Sequence, residues 1–390
     1  MTSADSQASA TIDLGALAHN VQVLREHAGD TAVMAVVKAD GYGHGAVQVA
    51  QTVLTAGARE LGVTTLTEAL QLRAAGITAP ILSWLHTPDA DFAAAIGADV
   101  EIGISSMPTL AAVVEAAQQA GRRAAVTVKV DTGLNRNGVT ADEWPALRTA
   151  LTVAEREGTV RVRGMFTHFA HADEPNHPFI DVQARRFREA VDSARSAGLD
   201  IEVTHAANSA ATLTRPDLRF DMVRPGIALY GLSPMPELGD FGLRPVMTLT
   251  ARVVKVKKVA AGEGVSYGHT WTAPRDTTVC VLPVGYADGV FRSLSNRFEV
   301  LVGGRRCPSV GRVCMDQLVV DLGPDADVRE GDTAVLFGDG ATGAPVAQDW
   351  ASTLDTIHYE IVTAVRGRVQ RRYLPWQPGV TVEVDRAGVA

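Results

Sequence analysis

The sequence predicts an α/β protein, a (β/α)8 TIM barrel followed by a smaller, mostly β domain. Three observations carry this. Up to about Leu232, short apolar runs alternate with amphipathic stretches, and there are eight such runs. Near-continuous apolar runs suit strands buried on both faces of a parallel sheet. Eight strand–helix alternations in about 230 residues match a barrel, typically about 250 residues long, whereas a doubly wound open sheet usually has fewer strands in that length. Beyond Ser233 the alternation gives way to short strand-like runs set apart by turn residues.

The eight runs are Val33–Lys38, Glu60–Thr65, Ala79–Trp84, Val100–Ser105, Ala125–Val130, Val162–His168, Glu202–Asn208 and Phe220–Gly226. Between them the spacing is helical. Leu14, Leu17, Val21 and Leu24 form one face, with Asp13 as the N-cap, and Met107, Leu110, Val113, Val114 and Ala117 form another. Pro234, Pro236, Gly239, Gly242 and Pro245 then interrupt the chain. Later strands are expected at Met247–Val254, Thr278–Pro283, Phe298–Val302, Gln317–Leu322 and Thr333–Phe337, with one helix from Ala347 to Val365. The basic run Arg252, Lys255, Lys257 and Lys258 reads as a solvated strand face. The expected domains are residues 11–237 and 245–380, with flexible termini at 1–10 and 381–390.

Composition narrows the function. Hydrophobic residues make up 46% and charged residues 21%, ordinary globular usage. The net charge of −8 gives no global reason to bind nucleic acid or an anionic membrane. Cys280, Cys307 and Cys314 make neither a disulfide framework nor a C-x-x-C site. Met1–Ala10 lacks the pattern of a secretory signal, and no apolar stretch approaches the ~18 residues of a membrane span. A cytoplasmic protein is expected.

Active sites of such barrels lie at the carboxyl ends of the strands. There the sequence places Lys38, Trp84, Lys129, His168, His205, Asn208-Ser209 and Arg224. Lys38 ends the apolar run Val33–Val37, where a charge is costly to hold. Burial would make it an amine nucleophile; snorkelling out of the mouth is the equal alternative. The next segment, Ala39-Asp40-Gly41-Tyr42-Gly43-His44-Gly45, is neither a dinucleotide nor a Walker motif, and opens a helix at Ala46. Ser209, Gly226 and Ile227 lie in the loops after strands seven and eight, where barrels commonly bind phosphate. A lysine facing a phosphate site suggests pyridoxal 5'-phosphate. His168, His171 and His177 invite a metal reading, but no H-E-x-x-H motif accompanies them, and no metal is expected.

The stretch Ala35-Val36-Val37-Lys38-Ala39-Asp40-Gly41-Tyr42-Gly43-His44-Gly45 closely resembles the cofactor-attachment signature of alanine racemases. The likeness continues, in order, through Lys129–Gly138, Thr167–Ala170, Asn208–Ala210, Arg224–Gly231, Val265–Gly268, Val284–Gly289 and Gly311–Asp316. This resemblance implies a homodimer whose active sites are shared between subunits and which interconverts L-alanine and D-alanine. Lys38 would carry the cofactor and exchange the proton on the D-alanine face, and Tyr267 of the other subunit would exchange it on the L-alanine face. Arg136 and the Met315 N–H would hold the substrate carboxylate. His168, Arg224 and Asp316 would support the catalytic pair, and Lys129 resembles the lysine that the family carbamylates to orient its arginine, here Arg136, with a plain strand lysine as the open alternative. Tyr42, Asn208, Ser209, Gly226, Ile227 and Tyr359 would hold the cofactor phosphate, with Arg224 facing the pyridine nitrogen. Tyr286, Arg292, Arg312 and Asp173 resemble residues of a substrate corridor. The rivals are another enzyme of this fold type and a non-catalytic cofactor carrier. The β domain bearing Tyr267 argues against the carrier.

Overall fold

The computed structural model describes residues 7–379. They form two compact units. One comprises Ala18–Gly41 and Ala46–Leu243; the other comprises the chain up to Leu17, Tyr42–Gly45 and the chain from Arg244 onward.

An N-terminal strand, β1 (Ala8–Asp13), precedes the barrel. The barrel strands are β2 (Ala32–Val36), β3 (Glu60–Val63), β4 (Ile81–Ser83), β5 (Glu101–Ile104), β6 (Ala124–Lys129), β7 (Val160–Phe166), β8 (Val203–His205) and β9 (Met222–Val223). Each is parallel to the next, and β9 closes on β2 through the pairs Ala32–Met222 and Val33–Val223. All eight expected runs are these strands, but each ladder stops one to three residues before the apolar run does. His168, Asn208 and Arg224 therefore lie in loops just past their strands, Lys38 opens the short turn Lys38–Tyr42 after β2, and Lys129 is the last residue of β6.

The barrel interior holds an ionic layer. Arg163 on β7 reaches Glu60 on β3 and Glu101 on β5, with Nη1–Oε2 distances of 3.0 and 2.6 Å, and Thr127 on β6 bonds Glu101. The three charged residues come from alternate barrel strands, the layering expected of this architecture. Burial pushes the Glu101 carboxyl up, against the lowering effect of Arg163. Outside the barrel, helix Leu14–Ala28 buries Leu17, Val21 and Leu24, and the Asp13 Oδ1 accepts from the Ala16 N–H at 2.9 Å as the N-cap. In helix Met107–Ala120, Leu110, Val113 and Ala117 are buried, but Met107, in the first turn, is exposed.

The second unit contains β10 (Met247–Arg252), β11 (Lys255–Val259), β12 (Gly264–Val265), β13 (Trp271–Thr272), β14 (Thr277–Leu282), β15 (Glu299–Val302), β16 (Arg305–Val310), β17 (Leu318–Gly323), β18 (Thr333–Phe337) and β19 (Gln370–Leu374). Among the described residues its main sheet runs β11-β14-β17-β16-β15-β18-β10-β1-β19. The expected boundary at residue 11 is corrected here. Residues 8–13 are neither barrel nor flexible terminus, because Ala8, Ala10 and Ile12 are buried while β1 pairs antiparallel with β10 and parallel with β19. Small alanines hid this strand in a segment that reads as polar. The expected flexible residues 1–6 and 381–390 lie outside the described residues. The basic run falls largely on β11, which is exposed and forms a sheet edge; edge lysines discourage pairing with another chain. The single helix expected at 347–365 is two, Ala347–Leu354 and His358–Ala364, because Asp355 ends the first in the left-handed region at φ 54°. Among the described residues no helix is long and apolar enough to cross a membrane.

Candidate active site

At the barrel mouth the chain reverses its helical sense immediately after Lys38. Ala39, Asp40, Gly41 and Tyr42 have φ values of 52, 53, 62 and 52°. A left-handed turn built from non-glycine residues costs about 1–2 kcal/mol per residue, and such strain gathers at functional positions. Local hydrogen bonds hold it. The Gly41 N–H donates to Val37 O at 2.9 Å, the Ala39 N–H to Glu68 Oε1 at 2.7 Å, and the Ala46 N–H to Asp40 Oδ1 at 2.9 Å. Glu68 also accepts from the Thr64 and Thr65 N–H groups and completes a capping box with Thr65. The sequence Thr65-Leu66-Thr67-Glu68 carried that signal unread.

Burial lowers the Lys38 ammonium pKa, helped by Arg136 and Arg224 and opposed by Glu68. Lys129 is buried and held down to about 8, by desolvation first and then by Arg224, Arg136 and Lys38. His168 is half-buried, and desolvation followed by the charges of Arg224, Arg136, Lys129 and Lys38 drives its pKa well below the ordinary histidine value. These five expected residues thus share one electrostatic neighbourhood.

Arg136 stands exposed on the loop after β6. The Asp131 carboxylate ties that loop by accepting from the Gly133 and Asn135 N–H groups at 2.9 and 3.1 Å. Gly138 closes it: its φ is 127°, and a Cβ there would lie 2.6 Å from the Asp131 nitrogen.

Arg224 is buried. Its Nη2 donates to Thr167 O at 2.6 Å and Ala206 O at 3.2 Å, and its Nε has no partner among the described residues. Burial lowers its pKa to about 10, so it stays protonated at neutral pH. The Phe166 ring lies under both cations, 5.2 Å from the Arg224 guanidinium carbon and 5.6 Å from Lys129 Nζ. His205 stacks on the same ring at 5.1 Å and 13°. Phe166 was not singled out from sequence, because an aromatic in an apolar strand reads as core.

Ser209 Oγ accepts from the Gly226 and Ala228 N–H groups at 2.8 and 3.3 Å, joining the loops after β8 and β9. Asn208 caps the helical turn Ser209–Thr214, its Oδ1 accepting from the Ala211 N–H at 3.1 Å. A second, 3-10 turn begins at Ile227. The first N–H groups of such turns have no acceptor inside them and suit an anion.

The remaining expected residues, Asp173 excepted, lie in the second unit. Tyr42 is buried with its ring 6.3 Å from that of Tyr359, and burial, with Tyr359 adding, raises its phenol pKa. Tyr267 is 72% exposed and Met315 53% exposed. Their loops are joined, since Ser266 Oγ donates to Arg312 O at 2.8 Å and lies 3.4 Å from Cys314 Sγ. The segment bearing Tyr286 joins them too: the Tyr286 and Ala287 N–H groups donate to Cys314 O and Met315 O at 3.0 and 3.1 Å. Only glycine fits at 285, where a Cβ would stand 2.2 Å from Cys314 O. Arg368 fixes this cluster, pairing with Asp316 at 2.7 Å and with the buried Asp288 at 2.8 Å. Arg292 is exposed and Arg312 half-buried in this unit, and Asp173 is exposed on the barrel unit.

Known proteins resemble this chain over most of its length. Residues 12–234 match the family model described as alanine racemase, N-terminal domain, and residues 246–373 the corresponding C-terminal domain. An alanine racemase of Mycobacterium tuberculosis (strain H37Rv) is 61% identical over 94% of this chain and 96% of its own length. The crystal structure of alanine racemase from the D-cycloserine-producing Streptomyces lavendulae is 49% identical with a TM-score of 0.93, covering 95% of this chain and 98% of that one. An alanine racemase from Streptomyces coelicolor A3(2) gives 50% and 0.93, covering 95% and 99%.

Proposed function

Since the chain belongs to the alanine racemase family and racemises alanine, we propose that it uses pyridoxal 5'-phosphate and two proton-exchanging groups, Lys38 and Tyr267. The observation that carries the cofactor reading is Arg224 Nε, a buried N–H with no protein acceptor among the described residues on a guanidinium fixed from its other side. Burying such a donor without an acceptor is costly, and a pyridine nitrogen is an acceptor of the right kind. Bound, the cofactor supplies an electron-withdrawing system that acidifies the alanine Cα–H.

Inverting a stereocentre by proton transfer needs two groups on opposite faces. The lowered pKa of Lys38 suits it to carry the cofactor and to exchange the proton on the D-alanine face. Tyr267 of a second copy would serve the L-alanine face, with His168 and Asp316 in support. Tyr267, Tyr286 and Met315 are exposed on three loops bonded to one another, an apolar cluster suited to a homodimer that shares its active sites. Arg136 would take the substrate carboxylate as a guanidinium fork, with the Met315 N–H as second donor. Tyr42, Asn208, Ser209, Gly226, Ile227 and Tyr359 would hold the phosphate. A lysine held at about 8 keeps a much larger neutral fraction near physiological pH than an ordinary lysine, and only the neutral amine takes up carbon dioxide, so Lys129 would carry a carbamate that orients Arg136. The protonated Arg224 would keep the pyridine nitrogen unprotonated and so restrain transamination.

The product, D-alanine, suits supply of cell-wall peptidoglycan precursors. Three free thiols, two of them buried, suit the reducing cytoplasm. The test is to incubate the purified holoenzyme with L-alanine and follow D-alanine with a D-amino-acid oxidase. Approach to a near-equal mixture is expected. Absence of D-alanine with the cofactor bound would overturn the proposal.

A further inference from the structure

We propose that the loop between β7 and helix Phe179–Ser196 forms a binding site for a zinc-class divalent ion, with His171, Glu174 and His177 as ligands. The backbone builds it. The Glu174 N–H donates to His171 O at 3.0 Å, and the His177 N–H to Glu174 O at 2.8 Å. Two successive turns of three residues thus bring these three side chains together. One ligand atom from each lies within 4.8 Å of the others. The His171 and His177 rings are stacked, with centroids 3.7 Å apart and planes 4° from parallel, so one ring must turn for both to direct a nitrogen at the same ion.

His171 Nδ1 and Glu174 Oε1 are 3.2 Å apart. Two ligands at about 2.0–2.1 Å from a tetrahedral zinc are themselves about 3.4 Å apart. The ion would therefore sit between these two atoms, in place of the hydrogen that joins them. His177 gives up the hydrogen bond that its Nδ1 accepts from the Phe179 N–H at 3.2 Å. Imidazole and carboxylate suit zinc and its neighbours over magnesium or calcium, and three protein ligands leave one position for water. The grouping suggested by the sequence joined the two histidines to His168; the fold replaces His168 with Glu174.

The test uses holoenzyme stripped of metal, without amino acids. Zn2+ is titrated calorimetrically, and Co2+ is followed by its visible ligand-field bands. One ion per chain with micromolar affinity is expected. His171→Ala and His177→Ala should each weaken binding about tenfold or more, and Glu174→Gln should weaken it less, with unchanged circular dichroism confirming the fold. Absence of saturable binding, or wild-type affinity in the His171→Ala/His177→Ala double variant, would overturn the proposal.

Discussion

The Arg224 guanidinium carbon lies 5.2 Å from the centre of the Phe166 ring. Nη2 is bonded to two carbonyls, and Nε has no partner among the described residues. On the proposed reading Nε meets the pyridine nitrogen of the cofactor, and Arg224 would set the charge there. Arg224→Glu should reverse it. Racemase kcat is expected to fall about 100-fold or more, while the ratio of transamination to racemisation rises. Pyruvate formation against D-alanine formation measures this, and an unchanged ratio would refute the role.

Lys129 makes a pH prediction. The folded chain holds it at about 8 against an ordinary 10.5. The unfolded chain therefore binds more protons between those values, and stability rises with pH across that window. Below pH 8 the full penalty remains, about 3 kcal/mol at 1.36 kcal/mol per pH unit. In carbon-dioxide-free buffer, Lys129→Met is expected to stabilise the apoprotein at pH 7 by up to that amount, with the gain shrinking toward pH 10.5. Bicarbonate should narrow the gap for the wild type alone. Urea titrations at several pH values measure both effects.

How much was legible in the sequence follows from where the physics is local. The eight barrel strands were visible because apolar runs buried on both faces are a one-dimensional signal. So was the convergence of Lys38, Lys129, Arg136 and Arg224, because strand order fixes which ends meet. Strand β1 was not visible: its pairing with β10 and β19 depends on partners more than 200 residues away in sequence. Phe166 and Glu68 were missed for another reason. Their contacts with Lys129, Arg224 and Ala39 are made between different strand ends far apart in sequence, and neither residue type advertises chemistry alone.

The ionic layer predicts a stability loss with no change of chemistry. Arg163→Met leaves Glu60 and Glu101 facing each other in the barrel interior without their cation. Removing one partner of a buried charge cluster typically costs about 3–5 kcal/mol. Chemical denaturation should show that loss. A triple variant with Glu60→Gln and Glu101→Gln added should recover part of it.

On the proposed mechanism, Tyr267 would separate the two faces of the reaction. Tyr267→Phe is expected to lower racemisation by about 100- to 10,000-fold while the protein stays yellow. In deuterium oxide, exchange at Cα should persist from D-alanine and nearly vanish from L-alanine, as mass spectrometry of each enantiomer would report. Equal loss from both would remove Tyr267 from a face-specific role.

The left-handed turn after Lys38 also bears on how the protein could be engineered. Ala39 and Asp40 sit in a backbone region where glycine is at ease and they are not. Ala39→Gly would relieve part of that stress, yet it would loosen the tether on Lys38, which under the proposed mechanism returns to one position on every turnover. A consensus or thermostability screen scored on melting temperature alone would accept that exchange. One scored on kcat would reject it, which makes residues 39–42 a place where selection for robustness and selection for turnover part company.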